Sequence, residues 1–241
     1  MNTVQQAICP PDAQFRAAQL RQRYGTLGGA ELLQPLLTDE LRGEIALVSS
    51  FGAESAVLLH MVATIAPATP VLFINTRKLF GETLRYRDRL VSLLGLSDVR
   101  EIGPSREDEA AHDAKGLLWR SDPTACCAFR KVAPLTRALD GFPAWITGRK
   151  RFQATTRAEL ESIEVSDGKI KINPLAAWTR DDLTAYLDRH ALPRHDLEAD
   201  GYLSIGCMPC TDRVAAGEDS RAGRWRGAEK VECGIHQIPP R

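Results

Sequence analysis

Four cysteines in two pairs are the residues of this chain best suited to chemistry. Cys126 and Cys127 are adjacent, whereas Cys207 and Cys210 lie in the sequence SIGCMPCT at residues 204–211. Four thiolates suit either a tetrahedral zinc ion or an iron–sulfur cluster. Adjacent cysteines fit one small ion poorly, but the separate iron corners of a 4Fe–4S cube can each take one thiolate. We therefore predict one 4Fe–4S cluster per chain, with zinc as the alternative.

Cys233 is predicted to be a reactive thiol rather than a ligand. It lies in the sequence ECGIH at residues 232–236 and has no second cysteine at ligand spacing. Nearby cations favour the thiolate, which is the nucleophilic form of cysteine. These neighbours are Arg221, Arg224, Arg226, Lys230 and His236. An inert cysteine is the alternative, and Cys9, which has no partner motif, is interpreted as incidental.

The composition is that of a soluble globular protein. Of the 241 residues, 44% are apolar and 26% are charged, and the formal net charge is zero. This balance argues against a nucleic-acid or membrane partner held by bulk positive charge. The first residues lack the pattern of a secretory signal, and no apolar run reaches the roughly 18–20 residues of a membrane helix. We therefore expect a cytoplasmic protein whose thiols stay reduced.

Strands that alternate with helices predict the fold that positions these cysteines. Strands are expected at residues 44–48, 71–75, 99–102 and 144–147, a hairpin at 163–172 around Asp167-Gly168, and helices at 56–65, 82–94, 126–139 and 180–190. This order indicates an α/β fold with a mostly parallel, twisted sheet and helices on both faces. We expect a single domain over residues 1–211, in which residues 1–40 are helical and residues 104–123 irregular. A mobile C-terminal tail is expected over residues 212–241.

Two polar loops are predicted to bind an anionic ligand. The sequence SSFGAES at residues 49–55 joins a strand to a helix, as in turns that present backbone N–H groups to a phosphate. It matches neither the Walker nor the dinucleotide-binding pattern, and an ordinary βα turn is the alternative. The basic sequence GRKRFQATTR at residues 148–157 also follows a strand. Because ligands of such sheets bind at the carboxyl ends of the strands, we expect both loops to face one site.

Several motifs together resemble the assimilatory sulfonucleotide reductases, and specifically their adenylyl-sulfate (APS) reductase branch. The most specific are CCxxRKVxPL, SIGCxPCT and ECGIH, which begin at residues 126, 204 and 232. Similar too are SSFGAE, GRKR, NPLAxW, GY and GEDxRxGRW, which begin at residues 49, 148, 173, 201 and 217. The resemblance extends from residue 45 to residue 236. It implies an adenine-nucleotide α-hydrolase-like fold and a 4Fe–4S cluster held by Cys126, Cys127, Cys207 and Cys210.

The resemblance also implies the reaction. The Cys233 thiolate would attack the sulfur of APS, expel AMP and become an S-sulfocysteine, from which reduced thioredoxin or a glutaredoxin-like donor would release sulfite. Positive charge would stabilise the phosphate leaving group. The cluster would take no part in electron transfer and would position Lys131. The substrate-binding residues implied by motif position are Ser49, Ser50, Phe51, Gly52, Phe73, Lys131, Arg149, Arg151, Arg157, Arg221, Arg224 and His236.

The chain departs from the family pattern at two substrate-binding segments. Asn75-Thr76-Arg77 replaces the usual Asp-Thr-Gly, and Lys150 replaces the first arginine of Arg-Arg-x-Gln. Reduction of 3′-phospho-APS (PAPS) is one alternative, although that branch commonly lacks the cluster cysteines. The ATP pyrophosphatases of this fold need Ser-Gly-Gly-x-Asp-Ser, which residues 49–55 lack. A non-enzymatic iron–sulfur sensor would leave Cys233 and the basic loop without a role. A homo-oligomer remains open.

Overall fold

The computed structural model describes residues 12–227, 230, 232 and 234–236. These residues form six strands, β1 (Ile45–Ser49), β2 (Val71–Ile74), β3 (Val99–Ile102), β4 (Ala144–Ile146), β5 (Ile163–Ser166) and β6 (Lys169–Ile172). Their α-helices are α1 (Ala13–Tyr24), α2 (Gly29–Pro35), α3 (Ser55–Ile65), α4 (Gly81–Leu94), α5 (Arg106–His112), α6 (Leu118–Ser121), α7 (Pro123–Cys127), α8 (Ala133–Ala138) and α9 (Arg180–Arg189).

The strands form one sheet in the order β3-β2-β1-β4-β6-β5. All neighbouring strands are parallel except β5, which runs antiparallel to β6. The central strands β1, β2 and β4 are buried along their whole length, as continuous apolar runs predict for a parallel sheet covered on both faces. The mostly parallel α/β fold is therefore confirmed.

Two apolar clusters occupy the two faces of the sheet. The larger one joins alternate residues of the strands, such as Leu47 and Ile146, to α1–α4 and α9. The smaller one joins the intervening residues, such as Val48 and Trp145, to Leu135 of α8. Because successive side chains of a strand point to opposite faces, each strand contributes to both clusters.

Local signals explain how two further elements begin or turn. The β5–β6 hairpin turns at Asp167 and Gly168, whose φ angles of 52° and 68° are the left-handed values that a type I′ turn requires. Thr179 caps α9 through a reciprocal pair of hydrogen bonds with Asp182. Both features agree with the sequence-based expectation.

Residues 104–123 were expected to be irregular, and the structure corrects this. They contain α5 and α6, and Ser105 caps α5 in a capping box with Asp108. Neither helix has a buried residue, so the sequence lacks the apolar stripe that signals a helix. The chain then passes through α7, a π-helical turn at Ala128–Val132 and α8. Cys9 lies outside the described residues.

The described part of residues 212–241 packs against the domain as a loop. The Asp212 amide donates to the Gly223 carbonyl at 2.8 Å, and the Trp225 amide donates to the Cys210 carbonyl at 3.1 Å. The Trp225 side chain is buried. None of the helices formed by the described residues has the length and apolar character that crossing a membrane requires.

Candidate active site

A cleft of about 230 Å³ opens at the carboxyl ends of β1, β2 and β4. The residues that line it come mainly from segments 47–55, 147–153, 203–207 and 220–225, together with residues 232, 235 and 236. The first two segments contain the loops that the sequence predicted, the third ends at Cys207, and the remaining residues belong to the tail. The fold therefore brings the predicted loops to one site.

The turn after β1 is shaped by its backbone. The Ser49 hydroxyl accepts a hydrogen bond from the Phe51 amide at 3.1 Å, and Phe51 has a left-handed φ of 49°. Gly52 lies so close to the opposite wall that a Cβ there would stand 3.2 Å from the Ile205 carbonyl oxygen. Helix α3 begins at Ser55, which lines the cleft. The turn thus offers hydroxyl groups and a helix N-terminus, which suit a phosphate.

The side chains of Phe51 and Phe73, two of the predicted substrate-binding residues, lie in the core and do not line the cleft. Both are fully buried, and their rings meet edge to face with centroids 5.2 Å apart. Strand β2 directs Phe73 into the larger core, whereas Ile74 and Thr76 reach the cleft. The two phenylalanines therefore pack in the core beneath the cleft and not against a ligand.

The basic loop after β4 divides its charges between the cleft and the surface. Arg149, Lys150 and Arg157 line the cleft, whereas Arg151 does not. The Arg151 side chain instead turns away, and its Nε donates to the Leu160 carbonyl at 2.9 Å. The structure thus corrects the expectation for Arg151. The cause is the 3₁₀ turn at Arg151–Gln153, which points neighbouring side chains in different directions.

Lys150 occupies the interior position instead of Arg151. Its side chain is 4% exposed and forms an ion pair with Glu54, whose carboxylate also accepts a hydrogen bond from Gln153 Nε2 at 2.9 Å. Burial lowers the pKa of Lys150, although Glu54 opposes the shift. The ion pair therefore links the basic loop to the turn that precedes α3.

Arg157 holds the tail across the cleft. Its Nε and one terminal nitrogen each lie 2.7 Å from a carboxylate oxygen of Glu232, and its other terminal nitrogen lies 2.6 Å from Gln153 Oε1. Arg221 lies 3.7 Å from the same carboxylate. A fork of this kind is a strong, directional ion pair. An anionic ligand at Arg157 would have to compete with Glu232.

Arg224 reaches the cleft because Gly206 has no side chain. A Cβ on Gly206 would overlap the Arg224 guanidinium, which also lies 4.6 Å from the centroid of the Trp225 ring. Arg224 Nε is buried and has no hydrogen-bond partner in the described part of the chain. This places a cation between the tail and the segment that carries Cys207.

His236 lies beside Trp145 and several cations. Its ring stacks on Trp145 with an interplanar angle of 11° and centroids 6.2 Å apart. Burial, followed by the neighbouring cations Lys171 and Arg149, lowers the pKa of His236 well below its usual value. These surroundings therefore favour the neutral form of the His236 ring.

The two cysteine pairs meet at a second, smaller cavity. Cys126 and Cys127 reach it from α7, and Cys207 and Cys210 from the loop around the 3₁₀ turn Met208–Cys210. The loop is fixed because the Met208 amide donates to the Lys78 carbonyl at 2.7 Å. The two cysteine pairs are at least 80 positions apart in the sequence, and the fold thus brings all four thiols to one site.

The electrostatics of this cavity suit a cationic group. Burial, with Cys127 next in size, raises the pKa of Cys126 to about 11, and burial and Cys207 raise that of Cys210. Burial opposes ionisation of Cys207 too, but Lys131 and the Thr76 hydroxyl leave its pKa below the usual value. Because neighbouring thiolates repel one another, a bound metal centre would favour ionisation of all four thiols.

The donor set of this second cavity consists of four cysteine thiols. Among the described residues, no three His, Cys, Asp or Glu side chains are arranged to hold one metal ion. The four thiols instead line one small cavity together. Lys131 and Cys207 line both this cavity and the main cleft, so the two sites are adjacent.

Comparison with known proteins identifies the family. The model of the phosphoadenosine phosphosulfate reductase domain matches residues 44–213. The chain belongs to this reductase-domain family. An adenosine 5'-phosphosulfate reductase of Chelativorans sp. (strain BNC1) is 50% identical, with 94% of this chain and 93% of that protein covered. One of Mesorhizobium japonicum is 51% identical, with 92% and 87% covered.

Solved structures agree with this membership. A phosphoadenylyl-sulfate reductase from Candida auris, in a phosphate complex, aligns with a TM-score of 0.69 and 28% identity, covering 83% of this chain and 97% of that one. An FMN adenylyltransferase from Candida glabrata aligns with a TM-score of 0.56 at 14% identity, covering 98% and 79%. The second likeness concerns the fold alone.

In this family member, several residues of the cleft escaped the sequence analysis. Glu54, Lys150 and Gln153 form one hydrogen-bonded group, and Glu232 reaches Arg157 from the tail. Glu54, Lys150 and Glu232 stand within recognised motifs, so the motifs themselves were the available signal. The Glu232–Arg157 contact joins residues 75 positions apart, and only the fold reveals it. Cys233, the predicted nucleophile, lies outside the described residues.

Proposed function

We propose that this chain reduces APS to sulfite and AMP with electrons from reduced thioredoxin, as a step of sulfate assimilation. One observation carries the proposal, namely that a cationic cleft adjoins a cavity lined by four cysteines. Relatives about half identical in sequence bear the name adenosine 5'-phosphosulfate reductase. Because the reaction consumes a reduced dithiol, we expect a cytoplasmic setting.

The reaction begins at Cys233. Its thiolate attacks the sulfur of APS, the bond between that sulfur and the phosphate oxygen breaks, and AMP leaves. A thioredoxin thiolate then attacks Cys233, which releases sulfite and forms a mixed disulfide. The second thioredoxin thiol resolves it, so that two electrons pass from the dithiol to sulfur. A glutaredoxin-like protein is the alternative donor.

The cleft supplies binding and charge compensation. The turn at Ser49, Ser50 and Gly52 holds the nucleotide through hydroxyls and backbone, with the Phe51 side chain as support beneath it. Lys131, Arg149, Arg221 and Arg224 line the cleft and offset the negative charge of the phosphosulfate, so that an anionic thiolate can approach. The approach requires the tail to carry Cys233 between APS and thioredoxin, so we propose that the C-terminal tail over residues 212–241 is mobile.

Cys126, Cys127, Cys207 and Cys210 are proposed to hold a 4Fe–4S cluster. A cluster bound there would contribute to the local electrostatics and would not transfer electrons in turnover. Lys131 lies at the junction of the two cavities, 8% exposed, and so carries the effect of this site to the cleft.

The substrate is tested by offering APS and PAPS in parallel to the anaerobically purified protein with reduced thioredoxin. We expect sulfite from APS, with kcat/KM at least roughly tenfold above that for PAPS, since a cleft built to fit one ribose edge discriminates by such factors. Preference for PAPS would retain the mechanism and reassign the substrate. Absence of sulfite from both would exclude the reductase and favour an iron–sulfur sensor.

The cluster is tested by iron and sulfide analysis of the same preparation. We expect about four iron atoms per chain in the native protein, and loss of most of the iron in a Cys126→Ser chain, because serine is a poor ligand for iron–sulfur centres. Cys9→Ser is the matched control and is expected to retain the iron. Stoichiometric zinc without sulfide would overturn the cluster.

A further inference from the structure

Residues 234–236 lie against one face of the sheet. The Ile235 side chain packs against the smaller apolar cluster, and the His236 ring stacks on Trp145. Trp145 of β4 pairs in register with Lys171 of β6. Lys171 in turn pairs with Glu164 of β5, so that these three side chains form one row across the sheet.

Lys171 binds the backbone of this segment directly. Its Nζ donates to the His236 carbonyl at 3.2 Å, lies 3.4 Å from Glu164 Oε1 and stands 4.8 Å from the centroid of the Trp145 ring. The side chain is only 1% exposed. A buried ammonium group is costly unless it has close partners, and the carbonyl of the tail is one of the three found here.

The carboxylate beside Lys171 is shared between two cations. Glu164 also forms an ion pair with Arg149, so its single negative charge faces two positive ones. Burial, with Arg149 next in size, accordingly lowers the pKa of Lys171 to about 8. Because Glu164 compensates the positive charge of Lys171 only in part, the His236 carbonyl and the Trp145 ring provide the other stabilising contacts of the ammonium group.

We propose that Lys171, together with Trp145, is a positioning residue that seats the C-terminal segment for the reaction. This inference rests on the proposed function, because His236 stands three positions after Cys233 in the sequence. Lys171 does not line the cleft, so it acts on the tail and not on the nucleotide. The Glu232–Arg157 pair holds the chain on the other side of position 233, and the two contacts together restrain the segment that carries the nucleophile.

The test compares Lys171→Met with Lys169→Met in the full-length holoprotein. Lys169 lies on the same strand and donates to the carbonyls of Leu139 and Phe142, which belong to the body of the domain. It is therefore a matched control that loses a comparable contact without touching the tail. Three quantities are measured for each chain, namely amide hydrogen exchange of a C-terminal peptide, AMP affinity, and kcat and KM for APS.

We expect Lys171→Met to speed exchange of the C-terminal peptide and to lower kcat, each by roughly tenfold, the size of a lost hydrogen bond to a charged group. AMP affinity should stay within about threefold of the native value because Lys171 lies outside the cleft. Lys169→Met should leave exchange of that peptide unchanged. Lys171→Gln, which retains a shorter donor, should fall between the native chain and Lys171→Met.

Two outcomes would contradict the proposal that Lys171 positions the C-terminal segment. In the first, Lys171→Met lowers the melting temperature but leaves exchange of the C-terminal peptide native. In the second, both methionine variants speed exchange equally, which would mean general loosening. If Lys171→Met does not fold, the same readouts on Lys171→Gln decide. Amide exchange and AMP binding can be measured without turnover. If the proposed reaction is wrong, the native protein releases no sulfite, but the effect of Lys171→Met on exchange of the C-terminal peptide can still be observed.

Discussion

A Cys233→Ser chain is expected to release no measurable sulfite from APS. A serine hydroxyl is almost wholly protonated at neutral pH, whereas a thiol beside cations supplies a substantial thiolate fraction. Removal of the nucleophile therefore eliminates the first bond-forming step. We expect sulfite release to fall by at least roughly 1000-fold, the scale seen when a covalent nucleophile is removed.

The same chain should keep everything that does not depend on the nucleophile. Its iron content and AMP affinity should match those of the native protein, because Cys233 is not one of the four proposed ligands and AMP lacks the sulfate. Cys9→Ser, in which a cysteine outside every motif is replaced, should retain full activity. Residual sulfite release above one tenth of the native rate would move the nucleophile to another thiol.

The sequence was sufficient to predict the strands and helices that bury apolar runs. Strands β1 and β2 are continuous apolar segments that are each followed by a helix, and the parallel order follows from this alternation. The turn at Asp167-Gly168 was equally predictable, because few residue pairs adopt left-handed φ twice in succession. Helices α5 and α6 could not be predicted in this way, since neither buries a side chain.

Side-chain direction at the site was less accessible to the sequence. The motif Gly-Arg-Lys-Arg presents three cations, and charge alone does not tell which of them faces inward. Only the 3₁₀ turn shows that Lys150 is buried and Arg151 faces the Leu160 carbonyl. Phe73 is a similar case, because its strand ends at the cleft while its ring points into the core. The contact between Glu232 and Arg157 depends on how the tail folds back.

The main cleft and the cysteine-lined cavity have lining residues in common. Cys207 and Lys131 line both, and Arg224 contributes to the electrostatics of Cys207 while lying over Gly206 in the cleft. A change in the charge of the cysteine cavity is therefore felt at the cations of the cleft, over distances too short for solvent to screen. This proximity is how the proposed cluster could influence the cleft without transferring electrons.

Replacing Arg130 by methionine is expected to lower the melting temperature far more than replacing an exposed arginine does. Arg130 stands between the first cysteine pair and the strand ends and is 2% exposed. Its guanidinium donates to Asp113 at 2.8 Å, to Glu109 at 2.6 Å and to the Thr76 carbonyl at 2.9 Å. The Asp113 side chain is also 2% exposed, so Arg130→Met would leave a buried carboxylate without its cation.

Breaking a buried pair from one side costs about 3–5 kcal/mol. For a chain of this size, each kcal/mol lowers the melting temperature by about 2–4 °C, so the expected drop is roughly 6–20 °C. Arg137→Met is the matched control. Arg137 pairs with Asp108 at 3.3 Å but is 57% exposed, and such surface pairs contribute about 0–1 kcal/mol.

The measurement is thermal unfolding followed by circular dichroism on the anaerobic protein, with the iron content of each sample determined beforehand. Only samples of equal iron content are compared, since loss of the metal centre would itself lower stability. Equal melting temperatures for Arg130→Met and Arg137→Met would show that Asp113 finds another partner or takes up a proton. A large drop for Arg130→Met alone would establish the buried pair as the support that holds α7, and with it Cys126 and Cys127, against the carboxyl end of β2.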